Sequence, residues 1–256
     1  MDHIDDRSAA PSGTAGPAGA ASPVDAARSC LTSSAVCLMA PASVLAQMGA
    51  DEISWARFAG HWDELGEDRY AAERGTRRQR RYGQFSLTPA TGELVRLPHT
   101  PFVQPKDTNP LYETVDRHFE PLTDAFVADP LLRPLLDLLG QAASALEDAG
   151  RWIVKVHPFR VVATADDEGD PTPEGRHKDG VTLVSSLLVN RENATGGQSS
   201  VYTHDGRELL STTLYRPGSL LLSDDRDSLH CVSPIRPMDM SQAAYRDVLV
   251  TTLTAA

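Results

Sequence analysis

Little in this sequence is basic. Its 256 residues carry 24 lysines and arginines against 35 aspartates and glutamates, a formal charge of −11, so it lacks the cationic face that a general nucleic-acid binder needs to displace counterions. No apolar run approaches the roughly 20 residues that span a bilayer, which argues against a membrane protein. Cysteine is scarce: Cys30, Cys37 and Cys231 form an odd set without the spacing of a disulfide scaffold, and they predict a reducing cytoplasm. The start, Met1-Asp2-His3-Ile4-Asp5-Asp6, is acidic where a signal peptide is basic, and no hydrophobic segment follows it, so secretion is not expected. No internal repeat is visible.

What is present divides into three stretches. From Ser8 to Ala26 every residue except Val24 and Asp25 is Ala, Pro, Gly, Ser or Thr. Burial there cannot offset the entropy of ordering, which predicts a disordered tail over residues 1–32 and one domain over 33–256. Helices come next. Ser43 suits an N-cap for a short helix through Gln47, and Ile53 to Phe58 adds another turn or two. Leu111 to Val127 repeats apolar residues at spacings of three and four, as does Leu131 to Ala149, which ends before Gly150. After Gly150 the pattern changes to short Val- and Leu-rich strands, with His204-Asp205-Gly206-Arg207 as a hairpin turn. Such a succession predicts an α+β domain, a jelly-roll sheet with the earlier helices packed outside it.

The chemistry centres on His177 and Asp179, one residue apart just before a predicted strand. In extended chain, positions i and i+2 point to the same side, so imidazole and carboxylate converge on one ion. His230, next to a later apolar strand, offers a third ligand; His204 competes but sits at the tip of the hairpin, and His157 suits a core or supporting position. Two histidines and one carboxylate form the facial triad of non-haem Fe(II) oxygenases. The pair alone also suits a solvated surface turn. Arg246, at the start of the last strand, can enter the same barrel and grip a dicarboxylate 2-oxoacid with its planar fork, or pair with Asp247 at a strand edge.

In order along the chain, Arg80-Arg81-Tyr82, Phe102-Val103-Gln104, His157-Pro158-Phe159-Arg160, Pro173 through Gly180, Thr195-Gly196-Gly197, Pro217-Gly218, Asp224-Asp225-Arg226 leading to His230, and Tyr245-Arg246-Asp247-Val248-Leu249 resemble the bacterial 2-oxoglutarate/Fe(II) dioxygenases of the L-isoleucine 4-hydroxylase type. The resemblance implies a double-stranded β-helix of the jelly-roll or cupin kind. It implies Fe(II) on His177, Asp179 and His230, 2-oxoglutarate on Arg246, and O2 as oxidant. The implied reaction hydroxylates an unactivated C–H bond of a free aliphatic L-amino acid, with succinate and CO2 as co-products. Keeping Asp179 favours hydroxylation over halogenation, and no side-chain acid or base beyond the metal centre is required.

Such a substrate needs a cation for its carboxylate and an acceptor for its ammonium. Arg80, Arg81 and Arg160 are the candidate cations; Glu174 and Asp225 are the candidate acceptors. The cluster Arg74, Arg77, Arg78, Arg80 and Arg81 reads equally as a solvated face. Two other readings stay open at this point: a cupin-like metal enzyme that does not use 2-oxoglutarate, and a catalytically silent jelly-roll binding module.

Overall fold

The computed structural model describes residues 22–73, 75–103, 108 and 116–256. Its architecture is mixed α/β and dominated by antiparallel sheets. In the largest sheet the neighbours run β1 (Val36–Met39), β11 (Leu220–Asp224), β7 (Leu183–Glu192), β14 (Ala244–Ala255), β6 (Trp152–Ala163), β3 (Arg78–Arg80) and β2 (Gly66–Glu67). β4 (Gly83–Thr88) also pairs with β6 and carries β5 (Glu93–Arg96). A smaller sheet orders β10 (Glu208–Thr213), β9 (Gln198–Thr203) and β12 (Ser228–Val232), and β13 (Ile235–Pro237) pairs with β8 (Ala194–Gly196).

Strand alternation gives the large sheet two different faces. On the long central pair, Val154, Val156, Leu249 and Leu253 pack into the core beneath the helices. The intervening Lys155, His157, Phe159 and Val161 of β6, with Val248, Val250 and Thr252 of β14, line a cavity on the other face. A one-residue slip would exchange the two sets; twelve consecutive β6–β14 pairs, Trp152↔Ala255 to Ala163↔Ala244, fix the register.

The helices on the covered face are α1 (Pro23–Ser34), α2 (Pro41–Met48), α3 (Glu52–Gly60) and α6 (Leu132–Ala143), with shorter turns α4 (Arg69–Ala72) and α5 (Asp124–Val127). Leu135, Leu136, Leu138 and Leu139 of α6 are fully buried, each stabilising by about 1.5–3 kcal/mol. Among the described residues no helix is long and apolar enough to cross a membrane.

Three sequence expectations change. The tail expected over residues 1–32 includes α1: Ser22 caps it through the Asp25 amide, Pro23 opens it, and Val24, Ala27 and Leu31 form a buried stripe. Composition concealed that stripe because the helix contributes only three core side chains. Residues 1–21 lie outside the described residues. The helix expected over Leu111–Val127 falls partly outside them too; from residue 116 to Leu122 the chain is extended. There Arg117 exchanges backbone hydrogen bonds with Phe102, and Glu120 and Leu122 bond to Tyr82. Pro121, which removes a backbone donor, fits that edge and leaves only α5 helical. Finally, α6 stops at Ala143 rather than Ala149, where the Ser144 hydroxyl bonds back to the Gly140 carbonyl and accepts from Trp152 Nε1.

Candidate functional site

The cavity between the sheets has a volume of about 480 Å³. On one wall, the loop before β7 and strand β12 exchange a pair of backbone hydrogen bonds between His177 and His230, 3.1 and 2.8 Å long. This clamp brings the two imidazoles to a ring separation of 4.4 Å. With Asp179 they offer three ligand atoms, all within 4.8 Å of one another. His177 Nδ1 lies 2.9 Å from the Gly175 carbonyl, which can only accept. Nδ1 therefore carries the hydrogen, and Nε2 keeps its lone pair for a metal.

His230 Nε2 lies 3.7 Å from an Asp179 oxygen. Burial, reinforced by His177, pushes the His230 pKa down to about 4, so the ring is neutral, as a ligand must be. Two imidazoles and one carboxylate, with ligand atoms all within 4.8 Å of one another, fit a divalent ion that takes N and O donors and keeps open positions.

Asp225 performs a different task from the one expected of it. It is fully buried, does not line the cavity, and accepts from the Asp179, Gly180 and Val181 amides at 3.1, 2.7 and 3.0 Å. The carboxylate is thus consumed in shaping the ligand loop, with His230 Nδ1 3.7 Å away. Burial and the nearby Asp179 push its pKa up to about 6.

At another part of the cavity wall, Arg246 is 1% exposed, and neither Nε nor Nη2 has a hydrogen-bond partner. Burial and neighbouring Arg191 push its pKa down to about 10, which leaves it cationic at neutral pH. Gly197, at φ +68°, makes room for it: a Cβ there would meet Arg246 Cδ at 3.1 Å and both Arg191 Nη1 and Ile235 Cγ2 at 3.0 Å. A buried guanidinium with idle donors fits a carboxylate ligand.

The remaining candidates divide by strand parity. Arg78 and Arg80, two apart on β3, line the cavity. Arg81 turns away and binds the Glu64 and Pro121 carbonyls and the Glu120 carboxylate. Glu174 lines the cavity, 3.6 Å from His177 Nε2.

Arg160 also faces outward, because its neighbours Phe159 and Val161 take the inward positions; it holds Asp247 with two hydrogen bonds of 2.8 Å and reaches Asp63. Asp247 is 1% exposed, so Arg160→Ala leaves a buried carboxylate without its fork. The expected cost is about 3 kcal/mol, a fall of roughly 6–12 °C in Tm, with the substrate KM of the folded enzyme unchanged. Thermal melting and steady-state kinetics check both parts.

Sequence reasoning missed Lys155 and Arg117, both on the cavity wall. Lys155 shares its side of β6 with His157, so alternation along that strand was the available signal. Arg117 lay hidden in the expected helix.

Comparison with known proteins agrees with this geometry. Residues 59–252 match the profile of the 2OG-Fe dioxygenase family. The chain is 29% identical over 168 residues to the 3(1)-hydroxy-L-isoleucine 4-dioxygenase of Pantoea ananatis, a match covering 63% of this chain and 66% of that protein. It is 23% identical over 141 residues to the L-isoleucine-4-hydroxylase of Bacillus thuringiensis, covering 54% and 58% respectively. The matches therefore span less than two thirds of these relatives' lengths. Among solved structures, a bsmA homolog from Methylobium petroleophilum PM1 superposes with a TM-score of 0.83 at 32% identity, covering 91% of this chain and 93% of that one.

Proposed function

The chain belongs to the 2OG-Fe dioxygenase family, and on that premise we propose that it hydroxylates an unactivated C–H bond of a free aliphatic L-amino acid or close derivative. 2-Oxoglutarate and O2 are the co-substrates, and succinate and CO2 the co-products. The observation that carries the reading is the pairing, in one cavity, of the three ligand atoms of His177, Asp179 and His230 with the buried guanidinium of Arg246, whose Nε and Nη2 have no hydrogen-bond partner. In this proposal the first three hold Fe(II) and Arg246 holds the distal carboxylate of 2-oxoglutarate. The two relatives named for isoleucine and hydroxyisoleucine support the amino acid class. The two antiparallel sheets around the cavity are read as a double-stranded β-helix, and residues from Pro23 onward as one domain.

The bound metal supplies oxygen activation coupled to oxidative decarboxylation of the 2-oxoacid. The chain's part is geometric and electrostatic. His177 keeps a fixed tautomer through Gly175, Asp179 contributes the negative charge of the donor set, and Asp225 holds the Asp179 loop in place. Arg246 neutralises and orients the co-substrate from the side, and the apolar Val184, Val248 and Val250 keep water from the reacting bond. No proton-transfer residue is needed at the C–H bond. The non-2-oxoglutarate metal enzyme and the silent binding module account less well for the family match.

Two measurements test the proposal. Anaerobically iron-loaded protein given O2, 2-oxoglutarate and a panel of aliphatic L-amino acids is expected to form succinate at a substrate-stimulated rate. Loaded protein that shows no stimulation overturns it. Without O2, Mn(II) plus 2-oxoglutarate at about 100 times their joint Kd is expected to stabilise the fold by about 2.7 kcal/mol, a rise of roughly 5–10 °C in Tm.

A further inference from the structure

We infer that Arg80 and His157 form a clamp for the α-carboxylate of the amino acid substrate, His157 Nε2 donating the hydrogen bond and Arg80 supplying charge, separate from the co-substrate's anchor at Arg246. This rests on the proposed function and specifies its substrate subsite.

Both residues are 3% exposed and both line the cavity. Arg80 Nη2 lies 2.6 Å from His157 Nδ1. A guanidinium can only donate, so Nδ1 accepts and the ring's hydrogen is on Nε2. The contact thus converts His157 into a donor of fixed tautomer. Burial and the cations Arg80, Lys155, Arg117 and Arg78 hold its pKa well below the usual histidine value, and stacking on Tyr82 at 4.8 Å fixes the ring plane.

Arg80 is equally constrained. Its guanidinium sits 3.6 Å from the centre of the Phe119 ring and 4.3 Å from that of Phe159, which leaves hydrogen bonding to its edge. On that edge Nη2 is spent on His157 and Nε is sealed from the cavity, so Arg80 contributes charge and orientation rather than a second hydrogen bond. Asp68 lies 2.8 Å from Arg78 and 3.8 Å from Arg80, so one carboxylate serves two guanidiniums and a net positive charge remains. One oriented donor on His157 and an unspent charge beside it suit a carboxylate.

Register separates this clamp from Arg246. Arg246 pairs with Val161, whereas His157 pairs with Val250. The four-residue offset along the sheet is about 13 Å. A five-carbon dicarboxylate seated on Arg246 covers only part of that distance, which leaves His157 and Arg80 for a second anion.

The test uses binding to the full chain loaded with Mn(II) and 2-oxoglutarate without O2, by calorimetry, with L-isoleucine, L-leucine and L-valine and the corresponding amides as probes. Wild-type protein is expected to bind at least one acid and to bind its amide about 10- to 100-fold more weakly, the loss of a charge-assisted hydrogen bond. His157→Phe and Arg80→Lys are expected to weaken acid binding by a similar factor while leaving amide binding and Mn(II) stoichiometry unchanged. His157→Gln, which restores an N–H near Nε2, is expected to recover part of the loss. In protein carrying ¹⁵N-histidine, the His157 Nε2–H signal is expected to shift with the acid and not with the amide, a readout that does not depend on whether the variants fold. Acid and amide binding equally, or variants that fold and bind the acid as wild type does, overturns the clamp and leaves the proposed function standing. Wild-type protein that binds none of the acids overturns both.

Discussion

Asp179→Ala is expected to lose its iron and, with it, substrate-dependent succinate formation. Among the described residues Asp179 is the only carboxylate in the ligand cluster, so its removal takes away a donor and the negative charge that would offset the metal's. Loss of a group that merely supports a ligand costs roughly 10–100-fold in metal affinity or activity. Loss of the ligand itself is expected to exceed that. Asp225→Asn gives the internal comparison: it keeps one acceptor oxygen for the three loop amides, and the expected fall is within that 10–100-fold range. Iron content after gel filtration, measured beside succinate yield, distinguishes the two effects. Asp179→Ala protein that retains stoichiometric iron and wild-type turnover would remove Asp179 from the metal centre.

The contrast between these two aspartates shows what can be read from sequence alone. His177 and Asp179 were legible because a spacing of two next to a strand places both side chains on one side. His230 followed from its place by a second strand, and His204 was set aside because it fell in a turn. In the structure His204 is exposed and bonds to the Arg226 carbonyl. Asp225 was not assignable, since its role depends on a loop 45 residues earlier whose amides it collects.

The arginines illustrate the same limit. Arg78, Arg80, Arg81 and Arg160 all stand in or beside strands, and which ones reach the cavity depends on where each strand's register begins. That register is set by pairing with β6 and β14 rather than by local composition. Helix α1 was missed for a related reason: Val24, Ala27 and Leu31 matter only because the folded sheet and α6 provide a surface to cover them.

Arg246 carries the prediction in which function and stability move in opposite directions. A fully buried cation whose Nε and Nη2 have no partner is a burden on the apo fold, because its desolvation is not repaid. Arg246→Met keeps much of the volume and removes the charge, so the metal-free variant is expected to be as stable as wild type or more so. Co-substrate binding should respond oppositely. Removing one partner of a buried, hydrogen-bonded charge pair costs about 2–5 kcal/mol, or roughly 30- to 5,000-fold, and this is expected in the KM for 2-oxoglutarate. Arg246→Lys, which keeps charge but not the fork, is expected to fall between the two. Melting curves of the apo proteins and 2-oxoglutarate titrations of the loaded ones check both signs. A lower Tm with an unchanged KM would make Arg246 a structural residue and revive a metal enzyme that does not use 2-oxoglutarate. A maintained Tm with a raised KM would mean that the chain retains an energetically costly arginine because a carboxylate ligand completes it.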